Sequence, residues 1–222
     1  MLHLYQEITL LSLKDEKGTV SIQNLAQVLA GALVAELIVS KRISVTNDKK
    51  RFVDLIDPKP TGDALLDDCL QKLAEAKRRA RLQTWVGRFA AIKRLHHKAA
   101  QSLCDRGILE QTTDKVLLVF NRTIYPEVDP KPEQKILARL ENAIFSEKSK
   151  LSTEDILLVS LADASGLLDQ IYTRKRLKPY RQRIKQIVEG EIAGQATREV
   201  ITAIQTAIIV SAIIIPVVTA SH

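Results

Sequence analysis

Residues 60–73, PTGDALLDDCLQKL, decide the class of fold, because the start signal of a helix and its buried stripe stand together there. Thr61 or Asp63 supplies the short oxygen-bearing side chain that caps the free amides of a first turn. Leu65, Leu66, Leu70 and Leu73 then recur at helical spacing, and helix formers continue to Ala80, so a helix is predicted over 63–80. Asp63, Asp67 and Asp68 lie where a carboxylate caps a helix or favours the positive end of its dipole, which accounts for them without any catalytic role.

The same reading extends toward both ends. Toward the N-terminus, DPKPTGD is a loop, and the β-prone runs Ile43–Val45 and Phe52–Ile56 flank the polar NDKK in the pattern of a small hairpin. Ile22–Val39 is apolar throughout and reads as a buried helix, and Leu4, Ile8 and Leu11 give a helical stripe that ends at the turn LKDEKG. Toward the C-terminus, Gln83–Arg106 reads as one helix kinked at Gly87 and stopped by Gly107. Ile108–Leu109 and Val116–Phe120 flank EQTTDK as a second hairpin, and YPEVDPKP is a loop. Helices follow over Glu133–Glu147, over Ile156–Leu168 behind a Ser152 and Asp155 capping box, and over the basic Leu177–Val188. The expectation is a mostly α fold: a single compact helical domain over 1–222 with one or two small peripheral β-hairpins.

Composition narrows the partners. With 222 residues, 45% apolar and 27% charged, the chain can bury a proper core. Lys and Arg exceed Asp and Glu by 33 to 26, a net charge of +7, which favours anionic partners. The excess is clustered. From Ala76 to Cys104 there is no acid, but there are Lys77, Arg78, Arg79, Arg81, Arg88, Lys93, Arg94 and Lys98. Between Asp169 and Glu189 the acid-free block repeats with Arg174, Lys175, Arg176, Lys178, Arg181, Arg183 and Lys185. Aromatic residues make up only 4%, which leaves few stacking platforms for a nucleic-acid binder, the competing reading of the same charge.

Other residues have quieter readings. Cys69 and Cys104 have no partner at metal-ligand spacing and read as reduced core residues of a cytosolic protein, and Glu7 interrupts the apolar N-terminus, against a secretion signal. Trp85 and Phe89, four apart, read as core. His3, His96, His97 and His222 lack the spacing of a metal site, no cofactor is implied, and no nucleophile elbow, phosphate-binding loop or metalloprotease pattern occurs. The uncharged run Val200–Ala220 is long enough for a bilayer span of about 20 residues. Its Thr202, Gln205, Thr206, Ser211 and Pro216 also fit a helix buried among neighbours, so both a buried helix and a C-terminal anchor are expectations.

Three groups of segments resemble the Golgi phosphoprotein 3 family: EITLLSLKDEKG at 7–18, PTGDALLDDCL at 60–70, and a string of shorter matches. The string comprises AELIVSKRI at 35–43, QTWV at 83–86, DRGIL at 105–109, LLVF at 117–120 and LADAS at 161–165, in the family's order. The resemblance implies an all-helical fold with peripheral hairpins, a non-enzymatic protein that binds phosphatidylinositol 4-phosphate, and recruitment of membrane enzymes by their cytosolic tails. It implies a peripheral place on the cytosolic membrane face, at the Golgi in a eukaryote. The family's head-group positions, a Trp and three Arg, fall on Ser21, Ala30, Lys93 and His96. Here the Trp and one Arg are missing, a second Arg is Lys without the bidentate fork, and the third is a histidine that is mostly neutral at pH 7. Arg94, His97 and Lys98 stand beside them as substitutes, so attraction to anionic lipid in general is the firmer expectation. The stretch from Trp85 to Lys93 is also shorter than in eukaryotic members, which points to a bacterial-like branch. The resemblance further implies that the hairpin strand Val116, Leu117, Leu118, Val119 and Phe120 inserts into the bilayer or meets a second subunit, whereas its apolar character alone equally fits packing on the body. Arg174, Lys175, Arg176, Lys178 and Arg181 form a secondary basic patch.

Overall fold

Helix α1 (Leu4–Ser12) is buried along its whole length, including its polar residues Gln6, Glu7, Thr9 and Ser12. The computed structural model describes residues 1–14, 18–22, 24–116, 120–146, 150–191 and 200–201. A buried polar group left without a partner costs about 1–3 kcal/mol, and each of these four has one. Gln6 reaches Ser102 at 3.1 Å, Glu7 pairs with Arg139, and the hydroxyls of Thr9 and Ser12 donate to backbone carbonyls one turn earlier at 2.7 Å. Burial pushes the Glu7 carboxyl above its usual range, and the adjacent Arg139 guanidinium opposes that.

Against α1 lies α2 (Leu25–Val39), whose Val28, Leu29, Leu33 and Leu37 have no exposed surface. Both are joined through the antiparallel pair β1 (Leu13–Lys14) and β2 (Thr19–Val20). A second pair, β3 (Ile43–Val45) with β4 (Val53–Leu55), sets Ile43 opposite Leu55 and leads to α3 (Ala64–Ala74). Helices α4 (Leu82–Ala90) and α5 (Leu95–Cys104) pack on α2 and α1. The third pair is β5 (Thr112–Val116) with β6 (Phe120–Ile124). Then α6 (Lys131–Phe145) and α7 (Thr153–Ala164) cover another side of α1, and α8 (Leu167–Ile171), α9 (Arg174–Leu177) and α10 (Arg181–Val188) follow, α10 against α7. The fold is mostly α with small hairpins, as the sequence predicts.

Local signals hold where they are local. Asp63 caps α3, accepting from the amides of Leu65 at 3.1 Å and Leu66 at 3.0 Å, and Ser152 caps α7 by accepting from Asp155. Asp67 accepts from the Thr61 amide at 2.6 Å and its hydroxyl at 2.7 Å, so it closes the PTG turn. Trp85 and Phe89 are buried with ring centroids 5.7 Å apart; Cys69 is buried, Cys104 half-buried, and both are free.

Five expectations are corrected. Residues 83–106 are two helices, and the break falls at 91–94, not at Gly87; Arg94 stands in the left-handed region with φ 57°, which a right-handed helix cannot continue through. Helix α3 stops at Ala74, short of Ala80. Val116–Phe120 is not one strand: Val116 ends β5, Phe120 begins β6, and the two face each other across residues 117–119, which lie outside the described residues. Thr112 and Thr113, placed in the tip by the sequence reading, instead pair in the ladder with Ile124 and Thr123. The basic helix starts earlier than Leu177 and is broken by a 3-10 turn over Lys178–Tyr180, since Pro179 cannot donate an amide to a continuous helix. Of the run 200–220, Val200 and Ile201 are helical and buried, and the remainder lies outside the described residues. Among the described residues no helix is long and apolar enough to cross a membrane.

Gly18 marks where the β1–β2 turn meets the rest. Its φ is 55°, a Cβ there would lie 2.0 Å from the Tyr125 carbonyl carbon, and its carbonyl accepts from the Tyr125 amide at 3.0 Å. Gly18→Ala is expected to lower stability by about 2 kcal/mol or more, from left-handed strain and the backbone clash together. A urea melt with an unchanged midpoint would show that the turn has room to yield.

Candidate functional site

The break between α4 and α5 determines what α5 presents. Its C-terminal half is anchored by Ala99, Ala100 and Leu103, all buried, while Lys93, Arg94, His96 and Lys98 at its start are exposed. No side chain caps its first turn. A helix start carries unsatisfied amides and a partial positive charge, and here cationic side chains surround it.

The charges differ in availability. Lys98 is tied to Asp68 at 3.0 Å, an acid on α3 that Lys72 also approaches at 3.4 Å. Among the described residues Lys93 and Arg94 make no ion pair, so their charge faces outward uncompensated. His97 is half-buried, with Nδ1 2.8 Å from the Tyr125 hydroxyl, and its ring lies 4.0 Å from that of His96. Burial, and then the neighbouring Arg94, push His96 below its ordinary value of 6.5. His97 is lowered by burial, then by His96 and Arg94.

The remaining expected positions fall differently. Ala30 has no exposed surface, because α2 is buried between α1 and α4, so this position cannot touch a head group. Ser21 is half-buried in the segment after β2, where its carbonyl lies 3.4 Å from the Gln170 amide nitrogen of α8. In the secondary patch, Arg176 pairs with Glu141 at 2.8 Å and stacks 4.3 Å from the Phe145 ring, and Arg181 pairs with Asp169. Those two are therefore spent within the domain. Arg174, Lys175 and Lys178 are exposed and make no ion pair among the described residues. The side chains of Val116, Leu117, Leu118, Val119 and Phe120 lie outside the described residues.

The sequence reading missed two connections, Asp68 to Lys98 and Tyr125 to His97, which fix how α5 sits. Their partners are 30 and 28 residues apart, beyond any local pattern. No group of three or more potential metal ligands is present among the described residues.

A helical domain with small hairpins and an uncapped cationic helix start is thus the class that fold and surface define. The chain belongs to the Golgi phosphoprotein 3 family, whose family model matches residues 4–204. It is similar to the vacuolar protein sorting-associated protein 74 of Eremothecium gossypii, with 24% identity over 182 residues that cover 72% of this chain and 54% of that protein. The chain therefore spans about half the length of this curated relative.

Because His96 and His97 sit below 6.5, both are mostly neutral at pH 7. Protonating either costs folding stability as the pH falls below 6.5, and at the same time adds positive charge to the exposed surface. Cosedimentation with phosphatidylglycerol vesicles is expected to strengthen from about pH 7.5 to about pH 5.5, and His96→Gln with His97→Gln to abolish that gain. An equal gain in the double variant would assign it to other groups.

Proposed function

We propose that this chain is a non-enzymatic peripheral membrane protein that docks through the start of α5 on an anionic cytosolic membrane face and acts there as an adaptor for membrane enzymes or trafficking. The observation that carries this reading is the pair Lys93 and Arg94, exposed, adjacent and without an ion pair among the described residues. Each cation near an anionic leaflet contributes about 1 kcal/mol, so this pair with the partly engaged Lys98 supports reversible, salt-sensitive attachment. A phosphate can also accept from the uncapped amides of the first turn of α5.

Membership of the Golgi phosphoprotein 3 family and the name of the vacuolar sorting relative support a Golgi-associated trafficking role, with the cytosolic tails of membrane proteins as partners. The ligand is a phosphoinositide, such as phosphatidylinositol 4-phosphate, or another anionic lipid. Ser21 and the buried Ala30 supply neither the aromatic ring nor the guanidinium of the family pattern, so attraction by charge dominates at this surface. Arg174, Lys175 and Lys178 offer a second, weaker cationic contact.

Lys93→Glu combined with Arg94→Glu is expected to weaken binding to anionic vesicles by about 30-fold or more at low salt, corresponding to the loss of about 2 kcal/mol. The thermal melt is expected to stay within a few degrees of the parent, because exposed unpaired charges contribute little to stability. Unchanged flotation of the folded double variant, or equal flotation of the parent with neutral and anionic vesicles, would refute the reading.

A further inference from the structure

The end of α2, strand β3 and the start of α7 border a cavity of about 440 Å³, walled by Ile38, Val39, Ile43, Val45, Ile56 and Val200. Part of that apolar wall is open to water. Val39 is 38% and Ile56 58% exposed, and among the described residues the other exposed large apolar side chains are Met1, Val20 and Val128. Single apolar residues at a surface are ordinary, but two on the wall of one apolar groove mark a face built to be covered.

The groove also carries an open sheet edge. In the β3–β4 pair the Thr46 amide donates to the Phe52 carbonyl at 2.9 Å and the Ile56 amide to the Arg42 carbonyl at 2.8 Å. Hydrogen-bonded pairs alternate along an antiparallel ladder, so Ile43 and Val45 turn their amides and carbonyls away from β4. Among the described residues no hydrogen bond reaches those four groups. The opposite edge of the pair is closed, because the Val53 amide donates to the Ala80 carbonyl at 3.1 Å and the Leu82 amide to the Arg51 carbonyl at 2.8 Å. An open strand edge beside an apolar groove is a template for an added segment of chain.

The chain supplies such a segment at this place. Val200 lines the cavity, and the uncharged run 200–220 begins with it. Ile and Val make up nine of the fifteen residues 204–218, side chains whose branched Cβ suits a pleated neighbour and whose exposure to water is unfavourable. The seven residues 202–208 can span about 25 Å, against about 10 Å for the length of β3, so the run can reach along the groove from Val200. A tether this short holds a segment at an effective concentration on the order of millimolar, which favours the chain's own run over that of a second copy. The family match ends at residue 204, so most of the run is an addition to the shared domain. We propose that residues 205–218 dock on their own chain, covering Val39, Val45 and Ile56 and taking up the open edge of β3. A run long enough to enter a bilayer is thereby held on the protein.

The test reads the accessibility of the groove in the full chain. Ile56→Cys and Val128→Cys are made separately in a Cys104→Ser background, which leaves the buried Cys69, and the rate of alkylation by a water-soluble maleimide is measured. Val128 is 53% exposed, close to Ile56, so without a cover the two positions react alike. The expected result is a rate at position 56 at least tenfold below that at position 128, unchanged from about 1 µM to about 100 µM protein. Ile209→Asp with Ile214→Asp is expected to bring the two rates within about twofold of each other, by making the run too polar to stay on the groove. Hydrogen exchange of the unsubstituted chain gives a readout free of any variant: the amides of Ile43 and Val45 are expected to exchange at least tenfold more slowly than that of Lys49 in the adjoining loop. Equal alkylation at positions 56 and 128, or exchange at Ile43 and Val45 as fast as at Lys49, overturns the proposal. A slow rate at position 56 that ignores the paired aspartates assigns the cover to something else and also overturns it. Protection that grows with concentration alongside a dimer makes a second copy the occupant, and an open groove in a chain that floats with neutral phosphatidylcholine vesicles places the run in a bilayer; either result overturns docking on the same chain.

Discussion

The Tyr5 hydroxyl donates to Asp63 at 2.7 Å, and the rest of the arrangement depends on that contact. Its other neighbour, the Ser102 hydroxyl at 3.2 Å, belongs to α5, while Asp63 begins α3. One ring on a buried helix therefore meets both the start of α3 and the anchored half of α5. Burial pushes the Tyr5 hydroxyl well above its ordinary value, so it stays protonated and able to donate. The same Asp63 carboxylate uses its second oxygen to cap α3, so a single side chain both begins the helix and ties it to the core. His3 adds to this corner by pairing with Glu36 of α2 at 2.8 Å.

With α5 held at Ser102 and by its buried residues, Leu95 of its first turn among them, Lys93 and Arg94 just ahead of it stay at the surface. The turn at 91–94 is what separates its direction from that of α4. An uninterrupted helix over 83–106 would also set Ile92 and Leu95 on one face and Lys93 and Arg94 on the other, so the break does not create their exposure; it divides the stretch into two short helices with the two cations at the junction. Arg94 accepts a left-handed backbone there, at a cost of about 1–2 kcal/mol that the surrounding burial offsets. Asp68 then links α3 to α5 through Lys98, leaving the neighbouring cations uncompensated.

How much of this was legible in the sequence depends on the range over which each signal acts. Asp63 and Ser152 as caps, the leucine stripe of α3 and the all-round apolar α2 were readable because capping and periodicity operate within a few residues. The helix break at Arg94 was not, since neither Gly nor Pro marks it and Gly87 stays inside α4 with open space around it. The true register of β5 and β6 was hidden for a related reason: an apolar run from Val116 to Phe120 looks like one strand whether it continues or turns. Pro179 did stand in the sequence as a breaker within the basic helix, and the weight of cationic residues around it obscured the signal. Charge density was readable, but charge availability was not. Arg176 and Glu141 are 35 residues apart, and only the folded chain shows that this cation is spent internally while Lys93 and Arg94 are free to act.

Which surface meets the bilayer decides the role of the α5 start. Hydrogen–deuterium exchange of the whole chain on phosphoinositide-containing vesicles, compared with neutral vesicles, addresses that directly. Slowed exchange is expected in peptides spanning the end of α4 and the first turn of α5, with the buried α1 and α2 unchanged. Protection confined to other elements, with residues 88–98 exchanging as they do in free solution, would contradict it.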